Sequence, residues 1–358
     1  MGHGPSSSSV VEDGPRKLQR RTLDDVASLA GAAVGSLALV WVLFERVFAF
    51  SGILGFVVCW YVTFVVLYAW VTGVSNPRTA VVDRVAAAAA HAGAAIVGLT
   101  LATTVGFIFV KAWPALSHLN FFTKDMAGVR PTSPLTQGGI VHAVAGSAIE
   151  VGIAVAIALP LGLATAVYMT EVGGRLATTV RTVVEAMTAL PDIVAGLFVY
   201  VLLIIGFGME KDGLAVSLAL VVTMVPVTAR SAEVVLKVVS GSLREAGLAL
   251  GASQWQTVRR VVLPTARSGL ATALILGIAR ITGETAPLLI VSGASSFYNS
   301  DPLHNTMNSL PLFIFSAVRS GEPLYIQRGY GAAAVLLGLV LVLFVVTRFL
   351  ARNRQGTR

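Results

Sequence analysis

The chain has 358 residues, of which 55% are hydrophobic and 12% are charged, and its mean hydropathy is +0.80. Soluble domains carry roughly 25% charged residues, so this composition excludes an ordinary water-soluble protein. The formal net charge is +8. The basic residues are scattered along the chain rather than gathered in one segment, which argues against a nucleic-acid partner.

Apolar runs begin after a polar N-terminal stretch. Residues 1–25 are rich in Ser, Gly and charged residues and contain no apolar stretch of the signal-peptide type, so we predict a disordered tail. The runs that follow are long enough to cross a bilayer as helices of about 20 residues. We therefore predict an all-α membrane protein. The predicted spans are 27–46, 51–73, 85–110, 143–168, 183–208, 213–232, 267–291 and 329–350.

The fifth predicted span is the least regular, because Glu185, Pro191 and Asp192 interrupt it. Proline also recurs in other late spans. Each proline removes one helical hydrogen bond and frees a carbonyl, which must then face protein or water rather than lipid. These prolines therefore predict bent helices of the kind found in transport pathways: Pro160, Pro191, Pro226 and Pro287.

The turn signal Ser75-Asn76-Pro77-Arg78 is the best domain boundary. It separates an N-terminal two-helix hairpin, 26–74, from a six-span core, 84–351, which a short tail, 352–358, follows. Placing the N-terminus inside the cell puts most basic residues in the inner loops and tails, as the positive-inside rule requires. Both termini and the loop 236–266 are then cytoplasmic. The outer loops hold only Arg46, Lys111, Lys124, Arg130, Lys211, Arg319 and Arg328.

A polar segment before the seventh span is punctuated as two short helices. Ser242 and Glu245 match a capping box, so a helix should begin just after Ser242, and Gly251 stands where a left-handed residue ends such a helix. Ser253 and Gln256 match a second capping box. By itself this pattern fits an ordinary connecting hairpin as well as a docking element.

The end of this hairpin and its surface can also be predicted. Pro264 lies where the second helix should stop or kink. Arg259 and Arg260 should stay in water. The apolar surface should come from Leu248, Trp255, Val258 and Val262.

The same segment resembles the EAA loop of ABC-type importer permeases. The matching residues are Glu245, Ala246, Gly247, Gly251, Leu263 and Pro264. Gly247 departs from the usual Ala, which is expected to loosen the first helix by about 1 kcal/mol. The resemblance implies a cytoplasmic loop that fits a cleft on an ATP-hydrolysing subunit. It also implies a type I ABC importer permease-like bundle of six core helices, to which the N-terminal hairpin is an addition.

Two charged residues lie within the seventh span. Charged groups in a membrane helix cost at least roughly 2.5–3.5 kcal/mol and persist when they are paired or line a polar path. Arg280 and Glu284 are four residues apart and should share one helix face. From this spacing alone, a structural ion pair and a substrate site are equally good interpretations.

The run from Arg280 to Leu289 resembles the R-x-x-G-E-T-A-P-L-L signature of phosphate-uptake permeases of the PstA type. Further similarity lies in Gly146-Ser147, in Tyr168-Met-Thr-Glu171 and in Leu190–Leu197, where Asp192 replaces the usual Ser. The resemblance covers the last six spans and not the first two. It implies that Arg280 and Glu284, with Thr282 and Thr285, line the substrate pathway. Arg suits such a site because its forked donors match phosphate oxygens.

The resemblance implies a transmembrane subunit of an ATP-driven phosphate importer in the bacterial plasma membrane. Its partners would be a second phosphate permease, two ATP-binding cassette subunits that bind ATP and Mg, an extracytoplasmic phosphate-binding protein, and membrane lipid. The chain has no G-x-x-x-x-G-K-[ST] loop and no residue cluster with metal-site spacing, so we expect no enzymatic activity and no cofactor of its own. The alternatives are a permease for another oxyanion, such as sulfate or molybdate, and a stand-alone secondary carrier.

Overall fold

The computed structural model describes residues 23–47 and 52–352. Most of the predicted N-terminal and C-terminal tails therefore lie outside the described residues. The few tail residues that are described, Leu23–Asp25 and Arg352, belong to the first and last helices. In the described part of the chain every regular element is helical. The chain divides into two compact units, 1–103 and 104–358.

The first unit contains the predicted N-terminal hairpin. Helix α1, Leu23–Val42, ends in a π-helical turn, and α2 spans Ile53–Ser75. The Trp60 indole nitrogen donates to the Ala33 carbonyl at 3.4 Å, which joins the two helices. Helix α3, Arg78–Leu116, begins in this unit and runs into the second one.

The second unit holds the remaining helices in a bundle. In chain order they are α4 (Asn120–Thr123), α5 (Val141–Val167), α6 (Gly174–Ala189), α7 (Asp192–Val199), α8 (Gly213–Val238), α9 (Gly241–Ala249), α10 (Gln254–Thr257), α11 (Leu263–Thr282), α12 (Ala286–Val291), α13 (Leu310–Arg319) and α14 (Pro323–Arg352). Three π-helical turns lie at Tyr168–Val172, Tyr200–Gly206 and Val258–Val262.

The number of membrane-spanning segments agrees with the prediction when a bent pair of helices counts as one span, but two of the predicted spans are broken rather than continuous. Among the described residues, 7 helices are long and apolar enough to cross a membrane, and a bent pair makes 8 if it counts as one span. The predicted fifth span is that pair: 174–189 and 192–206 meet at an angle of 104°. The seventh is also broken, because α11 ends at Thr282 and α12 begins only at Ala286.

The prolines explain these breaks in part. Pro160 and Pro226 lie inside α5 and α8, as predicted. Pro191 is the N-cap of α7, and Pro287 lies in the first turn of α12. A proline at a helix start leaves no intrahelical hydrogen bond unmade, so these two begin new helices rather than kink one.

Small residues form the centre of the bundle, where α5 packs on α8. Ala154 and Ala158 of α5 are buried with Ala215 and Ala219 of α8. Lipid tails are as apolar as any side chain, so membrane helices associate through close packing, which small residues allow. This contact fixes α5 and α8 as the scaffold of the second unit.

The two long segments that the predicted spans leave on the outer side, near 112–140 and 292–328, are more structured than plain loops. The 112–140 loop contains α4, and the 292–328 loop contains α13. The loops are joined to each other: Met126 N–H donates to the Ser296 carbonyl at 2.9 Å, and Tyr298 N–H donates to the Asp125 carboxylate at 2.9 Å.

Candidate functional site

The first helix of the polar hairpin, α9, begins two residues before the predicted start. Ser240, not Ser242, is its N-cap and accepts a hydrogen bond from Ser242 N–H at 3.3 Å. The predicted Ser242–Glu245 capping box is therefore wrong. The Glu245 and Ala246 side chains are exposed on the hairpin surface instead.

The turn and the second capping box are as predicted. Gly251 has φ +81°, a left-handed conformation that glycine adopts without strain, and its N–H donates to the Leu248 carbonyl at 2.9 Å. Ser253 Oγ accepts from Gln256 N–H at 3.2 Å, and the Gln256 side chain accepts from Ser253 N–H at 2.9 Å. Backbone and capping contacts thus close the turn of the hairpin.

Gly247 has a packing role that the sequence did not indicate. A Cβ atom at this position would lie 3.0 Å from Cγ2 of Thr257, in α10. Glycine lowers the helix propensity of α9 at this position, but it allows α9 and α10 to approach each other more closely than a larger residue would.

The second hairpin helix does not stop at Pro264. It passes through the π turn Val258–Val262 into α11, so that one helical rod runs from Gln254 to Thr282. Leu263 and Pro264 form the first turn of α11, where the missing N–H of proline is tolerated. The hairpin is thus continuous with the span that carries Arg280.

The hairpin surface is apolar with a basic flank. Trp255 is 63% exposed and Leu250 is 89% exposed, and Leu248 is also exposed. Arg259 and Arg260 are exposed, as predicted. Val258 and Val262, in contrast, are buried and do not contribute to this surface. An exposed apolar patch with a polar rim is typical of a protein–protein contact.

Arg280 lies near the end of α11 and faces two carboxylates. Its Nε lies 3.4 Å from Glu284 Oε1, and its Nη2 lies 3.5 Å from Asp192 Oδ2. Glu284 is not on the same helix, contrary to the prediction, because α11 has already ended. The predicted pairing forms nevertheless, since the Glu284 N–H donates to the Ile281 carbonyl and continues the turn.

Asp192 is the residue of this site that sequence reasoning did not assign to Arg280. It is the first residue of α7, directly after the bend at Pro191. Helix α7 packs closely on α12: a Cβ atom at Gly196 would lie 2.6 Å from Cα of Pro287. This packing brings Asp192 to Arg280.

The two threonines differ in what they can offer. Thr282 is buried, and its hydroxyl donates to the Ile278 carbonyl at 2.7 Å, so it has no proton left for an anion in this conformation. Thr285 precedes α12 and makes no side-chain capping bond there. Of the two predicted hydroxyls, Thr285 is the one placed to donate.

Residues 158–355 match the family model of the binding-protein-dependent transport system inner membrane component. The chain belongs to this family. The description of this family is that of the inner membrane component of a transport system that depends on a binding protein. The fold is that of the type I ABC importer permeases.

Several curated relatives are similar over most of their length. The phosphate transport system permease protein PstA 1 of Mycobacterium tuberculosis (strain ATCC 25618 / H37Rv) is 38% identical over 252 residues, which is 69% of this chain and 81% of that protein. PstA of Mycobacterium leprae is 39% identical over 251 residues, 69% of this chain and 82% of that protein. PstA of Yersinia pestis is 33% identical, with 72% and 89% covered.

Among solved structures, the inward-facing MetNI methionine ABC transporter aligns with 62% of this chain and 95% of its own at 22% identity. The TM-score is 0.48.

Proposed function

We propose that this chain is a transmembrane permease subunit of an ABC-type importer of inorganic phosphate. The observation that carries the proposal is the 38–39% identity to PstA permeases over more than 250 residues. A stand-alone carrier is not favoured, because the family consists of components of binding-protein-dependent systems.

The hairpin 240–262 is the proposed contact for an ATP-hydrolysing partner. Its exposed Leu248, Leu250 and Trp255 supply apolar area, and Arg259 and Arg260 supply charge at the rim. We place this hairpin and both termini in the cytoplasm, where ATP is available. ATP and Mg would be bound by two cassette subunits, and this chain would hydrolyse nothing itself.

Arg280 is the proposed phosphate contact in the pathway. Its side chain is 53% exposed, so it is accessible, and its guanidinium can form forked hydrogen bonds to phosphate oxygens. Glu284 and Asp192 hold the guanidinium and oppose tight anion binding, and passage through a pathway requires release as well as entry. A second permease would supply the other half of the pathway, and a phosphate-binding protein would deliver the substrate outside.

The test is uptake of radiolabelled phosphate by cells in which this chain is the only copy of its type. Arg280→Ala should abolish uptake, because the guanidinium contact is lost, while the complex still co-purifies with its ATPase. Arg267→Ala is the matched control, since Arg267 is an exposed arginine of the same helix. Normal uptake by Arg280→Ala would refute the assigned role.

A further inference from the structure

The π turn at the end of α5 is held by an ion pair to the hairpin. Glu171 of this turn is only 8% exposed in its side chain. The Arg244 guanidinium of α9 meets both of its carboxylate oxygens, with Nε at 3.2 Å from Oε1 and 3.1 Å from Oε2, and Nη2 at 2.9 Å from Oε1. Such forked pairs fix orientation as well as distance.

Arg244 also binds the end of α8. Its Nη1 donates to the Val239 carbonyl at 2.6 Å, and its Nη2 donates to the Leu236 carbonyl at 2.9 Å. The Gln254 side-chain amide, from the second hairpin helix, donates to the Glu171 carbonyl. Arg244, Glu171 and Gln254 therefore join both hairpin helices to the π turn after α5, and Arg244 also joins α9 to the end of α8.

The other side of the same turn is held by α6. Arg181 Nη2 donates to the Met169 carbonyl at 3.0 Å, and Arg181 Nε donates to Glu233 Oε1 at 2.8 Å. Glu233 belongs to α8 and is 1% exposed, and it also pairs with Arg230 and Lys237. The π turn is therefore in direct contact with α6.

Helix α6 leads to the substrate site. It ends at Ala189, and after the bend the next helix begins with Asp192, which contacts Arg280 at 3.5 Å. A continuous series of contacts thus runs from the hairpin through Glu171 and α6 to the proposed phosphate contact. Contiguity alone is not coupling, which must be measured.

We propose that Glu171 and Arg244 form the joint through which displacement of the hairpin moves α5 and α6, and through α6 the Asp192–Arg280 contact. Both are positioning residues, because neither touches the substrate site. This inference rests on the proposed function of the hairpin as the ATPase contact. A purely structural pair would stabilise the fold and leave the yield of transport per ATP unchanged.

The test uses the complete importer in proteoliposomes, with phosphate uptake and ATP hydrolysis measured together. Glu171→Gln and Arg244→Gln should each lower the phosphate transported per ATP by at least about fivefold, the lower end of typical coupling effects. The double variant should be no worse than the worse single variant, since one interaction is lost in both. Arg244→Lys, which keeps the charge without the fork, should give an intermediate yield.

The matched control is Arg175→Gln, which removes an exposed arginine beside the same turn. It should leave the yield per ATP unchanged. The melting temperature of each purified complex separates loss of fold from loss of coupling. The joint is overturned if both single variants keep the wild-type yield, or if the yield falls only where the complex dissociates. Absence of ATP-driven phosphate uptake by the wild type would instead refute the proposed function.

Discussion

A single guanidinium at the substrate site is shared by two carboxylates. Both distances, 3.4 Å and 3.5 Å, are at the long end for ion pairs, and Arg280 is half exposed. Ion pairs in contact with water contribute about 1 kcal/mol or less, so an incoming anion can displace Asp192 at modest cost. With all three groups ionised, the site carries one excess negative charge, which favours release over retention.

Substitution of Asp192, the carboxylate at the longer distance from Arg280, tests whether the excess negative charge weakens phosphate binding. Asp192→Ser should tighten phosphate binding by less than about tenfold, because a partly exposed ion pair is lost and one negative charge is removed. Isothermal titration of inorganic phosphate on the purified complex, without the binding protein, measures the change. Glu185→Ser is the control, since Glu185 lies in α6 and pairs with Arg230 rather than Arg280. Unchanged or weaker binding by Asp192→Ser would contradict the assigned role.

Arg280 and Glu284 could be predicted as a pair because they are four residues apart and because charged residues are rare in membrane helices. Asp192 could not be assigned to them, because it is 88 residues from Arg280 and reaches it only through the bend at Pro191. The buried state of Thr282 likewise depends on helix packing, which no local pattern contains.

At the level of elements, the hairpin was largely predictable because capping is local chemistry. The Ser253 box and the left-handed Gly251 required only neighbouring residues. The start of α9 was missed because Ser240 and Ser242 are both good N-caps, and their hydroxyls lie 2.6 Å apart. The continuation past Pro264 was missed because packing of α11 in the bundle extends the helix.

The position of the outer loop 130–137 depends on Arg328. The sequence analysis placed this arginine in an outer loop, whereas in the structure it belongs to α14. Arg328 of α14 is 1% exposed, and its Nη2 donates to the carbonyls of Ser133, Pro134 and Gln137 at 2.8–3.0 Å. These carbonyls satisfy a buried guanidinium that otherwise would be costly. The loop is therefore anchored to the bundle by one side chain.

Removal of this anchor should release the loop. Arg328→Met keeps most of the side-chain volume but removes the Arg328 donor from the Ser133 and Gln137 carbonyls and one of the two donors of the Pro134 carbonyl. The hydrogen bonds lost to the charged guanidinium are worth about 1.5–3 kcal/mol each. We expect faster cleavage by chymotrypsin after Leu135, which lies within this loop, measured on the purified complex. Arg319→Met, which removes an exposed arginine of α13, should cleave like the wild type. Equal cleavage rates for Arg328→Met would show that the loop is held by other contacts.

On the scale of the whole molecule, the number of spans followed from composition, and their breaks did not. Eight apolar runs are visible because lipid demands length and hydropathy. The 104° bend and the gap between α11 and α12 arise where a proline starts a new helix, and a proline in a sequence does not show whether it kinks or restarts. These two breaks place Asp192 and Glu284 next to Arg280. The site is therefore formed by the two backbone segments whose conformation was hardest to predict from the sequence.

The orientation of the bundle decides whether an ATPase can reach the hairpin. Lysine and arginine favour the cytoplasmic side of membrane proteins, and from this we predict that Ala249 of the hairpin lies inside and Ser300 of the outer loop outside. Cys59 is the single cysteine, so a Cys59→Ser background allows one label per variant. A membrane-impermeant maleimide should label Ser300→Cys in intact cells, and Ala249→Cys only after permeabilisation, because both residues are exposed and the predicted orientation puts them on opposite sides of the membrane. The reverse pattern would put the hairpin where no ATP is present, and the coupling role of Glu171 and Arg244 would be excluded with it.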